Sequence, residues 1–496
     1  KPANFLVSGG TSSGKTTTLN CLGSFIPRVD RVISIEDTAE LQLPLEHWIR
    51  LETRPTNVEG RGEISMEILL KNVLRMRPDR IIVGEVRGTE AMTLLAAMNT
   101  GQNGCLGTVH ANTAKETITR LNSEPMSVPK IMIPSLDFIF MQNRFSYRGK
   151  TVRRISEIAE VIANEDNIPK VNIIYEWDPK DDKVKPTGIP CVLLRKIAEL
   201  RGVSFEDVEA EIEQRVKVIN YMKENNVKGL KNVDTIINRY YINPDELLME
   251  IEGYPVKRKV KQALNRATYT LMPEEEEEGE ILYEDDEKKI VKVKTQSNPK
   301  YVVKIPPLRK KEMEMLRELE NMAIKEVEID PDNFENKEEV RRILFKKVIE
   351  IIEKKFLELP FSKRKDIARL VVNNMVGYGL LDFILNDEQL EEVMVVGTGK
   401  PIYVIHSNYG SCRTNLKFET DEDTIRIVEK IAASVGRRID KSSPLLDARL
   451  PDGSRVNATV PPISVDGPTI TIRKFKTDPL TVVNLIGYRT LNIEVS

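Results

Sequence analysis

The chain has 496 residues, of which 40% are hydrophobic and 30% are charged, and this length suffices for roughly three or four domains with separate cores. Its formal net charge of −2 argues against a general nucleic-acid-binding protein, because such proteins carry a basic excess. The longest apolar run, 131–140, is too short to span a bilayer, and no secretory signal opens the chain. Four scattered cysteines favour neither a disulfide framework nor a zinc site. We therefore expect a cytoplasmic protein.

A complete G-x-x-x-x-G-K-[ST] motif, here called the phosphate loop, occupies residues 9–16. An apolar stretch precedes it and a helix-compatible run follows, which is the strand–loop–helix context that such a motif needs. Its glycines let backbone N–H groups turn toward phosphates, while Lys15 reaches the β- and γ-phosphates and Thr16 offers a hydroxyl to Mg²⁺. The predicted nucleotide-binding residues are Gly9, Gly10, Thr11, Ser12, Ser13, Gly14, Lys15, Thr16 and Thr17. The motif predicts binding of a nucleoside triphosphate.

The pattern along the chain predicts several units. Residues 1–150 alternate strand-like and helical runs, which is typical of a mostly parallel sheet with helices on its faces. A run of glutamates at 274–278 predicts a solvated, flexible segment. The predicted units after the first are a helical extension over 151–272, the acidic segment over 273–300, a helical segment over 301–374, a smaller α+β domain over 375–475 and a linker over 476–496. The fold class is α/β with a second, α+β domain.

Three predicted strands of the first unit end in ionisable residues, and in an open α/β sheet such strand ends form the ligand-binding edge. Glu36 ends the first strand and Glu85 the second, which takes the place of a Walker B strand with Gly84 where many P-loop ATPases have aspartate. His110 ends the third. We expect Glu85 to orient the attacking water, and Thr16, Glu36 and Glu85 to lie at the Mg²⁺ ion. The alternative for each is an ordinary strand-end residue.

Several segments resemble motifs of one family. Segments 9–16, 35–40, 76–87 and 107–112 look like the Walker A, Asp, Walker B and His boxes of the secretion ATPases of type II secretion, type IV pili and archaella. Segments 377–382, 391–397, 445–457 and 469–475 are similar to parts of that family's N-terminal domain. Bacterial pilus and type II members usually carry a tetracysteine zinc element that this sequence lacks, so we expect no zinc. The archaeal branch lacks the element too, and residues 190–272 resemble its tail.

The resemblance implies a RecA-like ATPase core, a PAS-like N-type domain and a ring, usually a hexamer, with ATP bound between the domains of neighbouring subunits. In that family, arginines of the N-terminal domain reach the nucleotide, and the matching positions here are Arg449, Arg455 and Arg473. The alternative for each arginine is a solvated ion pair on the surface. An external arginine is worth roughly 10³–10⁵ in turnover in well-studied P-loop enzymes.

The two halves stand in an unusual order, since the family places its N-terminal domain before the phosphate loop. Joining Ser496 to Lys1 through a short missing segment would restore the family's arrangement. This order suggests a circular permutation, or a sequence written with its later half first.

As a function, the resemblance implies an Mg²⁺-dependent ATPase at the cytoplasmic face of a membrane complex, which converts ATP hydrolysis into domain motion. It would push pilin-like subunits outward or turn an archaellum. The implied partners are further copies of the chain, a polytopic membrane platform protein and, indirectly, pilin-like substrates, without nucleic acid. Two alternatives stay open: a conjugation-type relative that transfers DNA, which the near-neutral charge disfavours, and a nucleotide switch with little turnover.

Overall fold

The computed structural model describes residues 2–253 except 57–60 and 165–166. It also describes residues 279–475 except 286–287, 294–295, 297, 305–314, 316–317, 320–321, 324–336, 357–358 and 360. Two nine-stranded sheets dominate this part of the chain. The glutamate run at 274–278 and the expected linker at 476–496 lie outside the described residues.

The first sheet carries the phosphate loop and has the strand order β3-β2-β4-β5-β1-β6-β7-β8-β9. Its strands are β1 (Phe5–Ser8), β2 (Val32–Glu36), β3 (Trp48–Glu52), β4 (Arg80–Val86), β5 (Leu106–Val109), β6 (Phe138–Tyr147), β7 (Lys150–Ala163), β8 (Pro169–Asp178) and β9 (Lys183–Pro186). Every pairing from β3 to β6 is parallel. All five residues of β2 are buried, as expected for a parallel strand covered on both faces. The mostly parallel sheet predicted for the first unit is therefore present.

Helices of the first unit connect these strands. They are α1 (Lys15–Gly23), α2 (Met66–Val73), α3 (Glu90–Asn99) and α4 (Ala114–Asn122). The side chain of Ser65 accepts a hydrogen bond from the backbone N–H of Ile68 at the start of α2, and Thr113 does the same for Glu116 at the start of α4. In contrast, α1 begins after Gly14 with no side-chain cap, so its first N–H groups stay open toward the phosphate loop.

The sheet continues past residue 150 as an antiparallel meander of β6, β7, β8 and β9. The prediction of a helical extension from residue 151 is therefore wrong for residues 151–186. Apolar residues such as Val171 and Ile173 alternate with polar ones along β8, and pairing with β7 decides the structure there. The helical extension begins later. Its helices are α5 (Val192–Arg201), α6 (Phe205–Glu224), α7 (Leu230–Ile242) and α8 (Pro244–Ile251).

The second sheet has the order β10-β11-β12-β15-β14-β13-β18-β17-β16, and its only parallel pairing among the described strands joins β12 to β15. Its strands are β10 (Gly279–Glu284), β11 (Lys288–Val293), β12 (Lys300–Val303), β13 (Leu390–Val395), β14 (Pro401–His406), β15 (Gly410–Lys417), β16 (Leu445–Arg449), β17 (Arg455–Thr459) and β18 (Thr469–Arg473). The expectation of a flexible segment over 273–300 is wrong for β10 and β11, and β12 crosses the boundary drawn at 301. Ile290 and Val293 enter the core, which the nearby glutamate run did not reveal.

Helices also flank the second sheet. They are α9 (Lys337–Lys355), α10 (Phe361–Val376), the short α11 (Asp382–Leu385) and α12 (Asp421–Ser434). Among the described residues, no single helix is both long and apolar enough to cross a bilayer. One bent pair of helices, Lys363–Met375 with Gly379–Leu385, has the necessary length and composition when the two are taken together.

The two sheets meet through a mixed apolar and polar contact. We call the described residues 2–253 the first region and the described residues 279–475 the second region. The apolar cluster in the core of the first region also includes Met394, Tyr403 and Ile463 of the second. The buried Arg31 donates from Nη2 to Thr471 Oγ1 at 2.8 Å, and its Nη1 lies 2.8 Å from His47 Nε2. This contact lies along β2, β3 and the second sheet, away from the phosphate loop that follows β1.

Candidate nucleotide-binding site

The phosphate loop has the backbone of an anion-binding turn. Gly14 has a φ of 99° and Ser12 a φ of 59°, so the loop reverses direction before α1 begins. Lys15 Nζ donates to the carbonyl oxygens of Gly9 and Gly10 at 3.0 and 3.1 Å, which folds the side chain over the loop. Burial lowers the pKa of Lys15 from its ordinary value, against the opposing charge of Glu85. The loop therefore presents open N–H groups and one cation to a phosphate.

Glu85 stands at the end of β4, beside the loop. Arg87 hydrogen-bonds its carboxylate and also lies 3.7 Å from Asp37. Burial acts to raise the pKa of Glu85, but the hydrogen bond and charge of Arg87, with the charges of Lys15 and His110, hold that pKa below its ordinary value. The carboxylate is thus ionised at neutral pH and can accept a hydrogen bond from water.

Glu36 is buried at the end of β2, with 2% of its surface exposed. Its Oε1 accepts from the backbone N–H groups of Glu40 and Leu41 at 3.0 and 2.9 Å. Its buried Oε2 has no hydrogen-bond partner in the described part of the chain. Burial raises the pKa of Glu36. One oxygen therefore holds the following loop, and the other is left for a ligand.

Gly84 explains part of this packing. A Cβ at Gly84 would lie 3.1 Å from Glu36 Cγ, so the glycine makes room for the glutamate on the neighbouring strand. A larger side chain at this position would displace Glu36. The departure from the usual aspartate at Gly84 thus has a steric reason that the sequence alone did not provide.

His110 connects the third strand end to the phosphate loop. Its Nε2 lies 3.1 Å from Thr11 Oγ1. The structure therefore brings Lys15, Glu85 and His110 together at one edge of the first sheet. Thr16 and Thr17 stand in the first turn of α1. Over the described ranges, no three His, Cys, Asp or Glu side chains gather to hold a metal ion, so the Mg²⁺ ligands stay a prediction.

The three arginines predicted to reach the nucleotide form a row across the second sheet. In register, Arg449 on β16 faces Arg455 on β17, which faces Arg473 on β18. All three are exposed. Arg449 Nε donates to Gly453 O, and Arg473 Nε lies 3.7 Å from Glu392. None of the contacts that the structure gives these arginines reaches the phosphate loop of the same chain, so their catalytic role stays a prediction.

Two side chains that the sequence did not single out contact the loop from β6 and β7. Gln142 Nε2 donates to Ser13 O at 3.1 Å, and Arg153 Nε donates to Ser12 O at 3.0 Å. Their distance from the motif in sequence hides them, because strand pairing and not local spacing places them there.

Comparisons with known proteins concern mainly this first region. Residues 1–148 match the family described as Type II/IV secretion system protein. Over 218 residues the chain is 41% identical to an uncharacterized protein of Methanocaldococcus jannaschii, and this match covers 44% of this chain and 80% of that protein. It is 39% identical over 163 residues to the conjugal transfer protein TrbB of Rhizobium radiobacter, covering 31% of this chain and 48% of TrbB.

Among solved structures, the chain is similar to the VirB11 ATPase of the Brucella suis type IV secretion system in complex with sulphate. The identity is 28% and the TM-score 0.28, and the match covers 32% of this chain and 48% of the VirB11 chain. The chain thus spans about half the length of TrbB and of that VirB11 structure.

Proposed function

Because the chain belongs to the type II/IV secretion system ATPase superfamily, we propose that it is an Mg²⁺-dependent motor ATPase that drives protein export or the assembly of a pilus or archaellum. The observation that carries the proposal is the meeting of Lys15, Glu85 and His110 at the phosphate loop. A protein that only binds nucleotide needs the lysine. An ionised carboxylate beside it is suited to a further task, the orientation of a water molecule.

The residues at this edge fit ATP and Mg²⁺. The open N–H groups at the start of α1 suit phosphate oxygens, and the unpartnered Oε2 of Glu36 suits a water of the Mg²⁺ shell, since this ion keeps several waters and takes few carboxylates. When bound, Mg²⁺ neutralises charge on the phosphate oxygens. Thr16 and Glu36 would hold the ion, Lys15 would pair with the phosphates, and Glu85 would accept a hydrogen bond from the attacking water.

The arginine row supports a site shared between subunits. Three like charges placed opposite one another across neighbouring strands repel, and such a row is more stable when an anion approaches it. Because Arg449, Arg455 and Arg473 lie apart from the loop of their own chain, we propose that they approach the nucleotide of a neighbouring chain in a ring, as a hexamer would allow. From the resemblance to the family, we also propose that the first region is RecA-like and the second PAS-like.

In this proposal the ring works at the cytoplasmic face of a membrane, on a polytopic platform protein. Its substrates would be pilin-like subunits. ATP-driven closure of the two regions around the nucleotide and their reopening after hydrolysis would supply the movement.

A second candidate function is DNA transfer by a conjugation-type system, favoured by the match to TrbB. Single-stranded DNA separates the two. A secretion or pilus motor should bind it weakly and hydrolyse ATP at an unchanged rate in its presence. Binding at physiological salt together with stimulated turnover would favour the conjugation-type function.

Steady-state release of phosphate from Mg-ATP tests the proposal. Wild-type protein should turn over, and Glu85→Gln should bind ATP nearly normally yet lose at least about 100-fold in turnover, because the amide cannot accept the proton of the water. Glu199→Gln, an exposed position on α5, is the matched control and should behave as the wild type. Tight nucleotide binding without turnover in the wild type would instead identify a nucleotide switch.

A further inference from the structure

We propose that Gln142 and Arg153 are positioning residues. They hold the phosphate loop in its phosphate-binding shape by donating hydrogen bonds to its outward-facing carbonyl groups. The inference rests on the proposed function only in that the loop must bind a nucleotide. It adds two residues from β6 and β7 that the family motifs quoted above do not include.

Gln142 connects the loop to the helix that follows it. Its side chain is buried, with 7% of the residue exposed. Nε2 donates to Ser13 O at 3.1 Å, and Oε1 accepts from Thr18 Oγ1 at 3.1 Å. One amide therefore fixes the middle of the phosphate loop relative to the first turn of α1.

The regular alternation of side chains along β6 places this amide under the loop. Met141 contacts Thr117 of α4 on one face of the sheet, whereas Phe140 packs on the other face against the apolar cluster that includes Leu19 of α1. Because alternate residues of a strand share a face, Gln142 lies on the α1 side with Phe140. The register between β6 and β7 shifts at this point, and the extra residue lies on β7.

The loop and the strand are also in close contact through their backbones. A Cβ at Gly9 would lie 2.1 Å from Gln142 O, so only glycine lets the first residue of the loop approach β6 this closely. The α1-facing position of Gln142 and the close approach at Gly9 together place the amide of Gln142 within reach of Ser13.

Arg153 provides the second contact, from β7. Its Nε donates to Ser12 O at 3.0 Å, and its Cδ would lie 3.5 Å from a Cβ at Gly14. The residue opposite it on β6 is Arg144, and the structure gives neither guanidinium an ion-pair partner within the described residues. Two like charges in this position repel across the strands. The hydrogen bond from Arg153 to Ser12 O offsets this repulsion.

Holding the carbonyls also orients the N–H groups. In a trans peptide, the C=O of one residue and the N–H of the next point in opposite directions. When Arg153 and Gln142 hold the carbonyls of Ser12 and Ser13 toward the strands, the N–H groups of Ser13 and Gly14 turn to the inner side of the loop. The Ser13 N–H points inward, where it donates to Gly10 O at 3.3 Å. N–H groups that already point inward bind an anion at a reduced cost of rearrangement.

The experiment measures Kd for a fluorescent ATP analogue with the full chain. Gln142→Leu keeps the size of the side chain and removes both hydrogen bonds, so Kd should rise on the order of 10-fold. Arg153→Gln should raise Kd about threefold to 10-fold through one lost bond. The control is Arg148→Gln, on the same hairpin. Arg148 donates to Lys180 O and not to the loop, so this variant should leave Kd unchanged.

Two further measurements separate positioning from mere stability. Thr18→Val should weaken binding less than Gln142→Leu, since it removes only the bond to the helix. A substitution that merely destabilises the fold lowers the fraction of active protein and the midpoint of thermal unfolding, but not the Kd of the folded fraction. A positioning role predicts the opposite: a higher Kd and KM, with kcat at saturation changed much less.

The outcomes are distinct. If the wild type binds no nucleotide, the proposed function fails. If the wild type binds and both Gln142→Leu and Arg153→Gln bind equally well, the positioning role is overturned. Arg153 is exposed, so its variant remains a test even where Gln142→Leu does not fold.

Discussion

At the phosphate loop, groups from three strands of the first sheet meet within one domain, whereas the arginines of the second sheet stand in an exposed row and contact no residue of that loop. In the first arrangement, the charges of Lys15 and His110 act on Glu85, and His110 lies 3.1 Å from Thr11 of the loop. In the second, three cations lie side by side, and one of them, Arg473, lies 3.7 Å from a carboxylate oxygen of Glu392. In the proposed function the phosphate-loop edge is the first half of the site and the arginine row is its second half, and another copy, or a large domain movement, would bring them together.

Removing the cation of the first half should have the largest effect. Lys15→Ala should abolish measurable nucleotide binding, because the phosphates lose their main cation while the loop keeps its glycine-dependent shape. Titration with a fluorescent ATP analogue checks this. Lys115→Ala, an exposed lysine on α4, serves as the control. Undiminished affinity in Lys15→Ala would remove the assignment of the phosphate loop.

Removing an arginine from the second half should spare binding and impair turnover. Arg455→Ala should bind ATP nearly normally and lose about 10³-fold in turnover, since an external arginine acts mainly on charge that develops in the transition state. Phosphate release and analogue binding are measured side by side. Arg426→Ala, exposed on α12 of the same region, should be unaffected. Equal turnover in the two variants would mean that the row does not serve catalysis.

The two glutamates of the first half should differ in how strongly their replacement lowers turnover. Glu36→Gln should lower turnover by only about 10-fold, because Oε1 of Glu36 already holds the backbone of Glu40 and Leu41 and an amide oxygen can keep those bonds. An Mg²⁺ titration of turnover reports any weakened metal binding. If Glu36→Gln proves more damaging than Glu85→Gln, the roles of the two residues must be exchanged.

The contact between the two regions should weaken mildly in acid. His47 stacks on Tyr403 at 3.9 Å between ring centroids, and burial, with the charges of Arg31 and Lys400, places the pKa of His47 well below its ordinary value. A lowered pKa means that its stabilising effect is complete above about pH 6.5, the ordinary histidine pKa, and declines as pH falls below it. The slope is about 1.4 kcal/mol per pH unit for one proton.

Thermal unfolding between pH 7.5 and pH 5.5 measures this effect. His47→Gln cannot titrate, so its stability should fall less over this range than that of the wild type. Parallel pH profiles for the two proteins would show that His47 stays neutral in the unfolded chain as well, or is protonated in the folded one.

The sequence predicts the parts of the site that depend on local order. The phosphate loop lies between a strand and a helix, and Glu36, Glu85 and His110 end strands at the same sheet edge, so their meeting could be expected. The orientation of Glu36 could not, because it depends on the space left by Gly84 on a neighbouring strand.

Long-range pairing accounts for what the sequence did not predict. Gln142 reaches the loop because β6 pairs with β1, and the arginine row exists because β16, β17 and β18 pair in one register. The helical prediction for residues 151–186 is wrong because pairing with the neighbouring strands decides their structure. Neither the pairing of distant strands nor their register can be read from local spacing.

Mixing two inactive variants tests the central claim, that the site is shared between chains. Arg455→Ala chains lack the second half and Glu85→Gln chains lack the catalytic carboxylate of the first. In a mixed ring, some interfaces would join an intact Glu85 to an intact Arg455 from the neighbouring chain. Turnover should therefore return in part, although neither variant works alone. Mixed rings, shown by light scattering to have formed, that remain inactive would contradict the shared site and indicate that each chain completes its own.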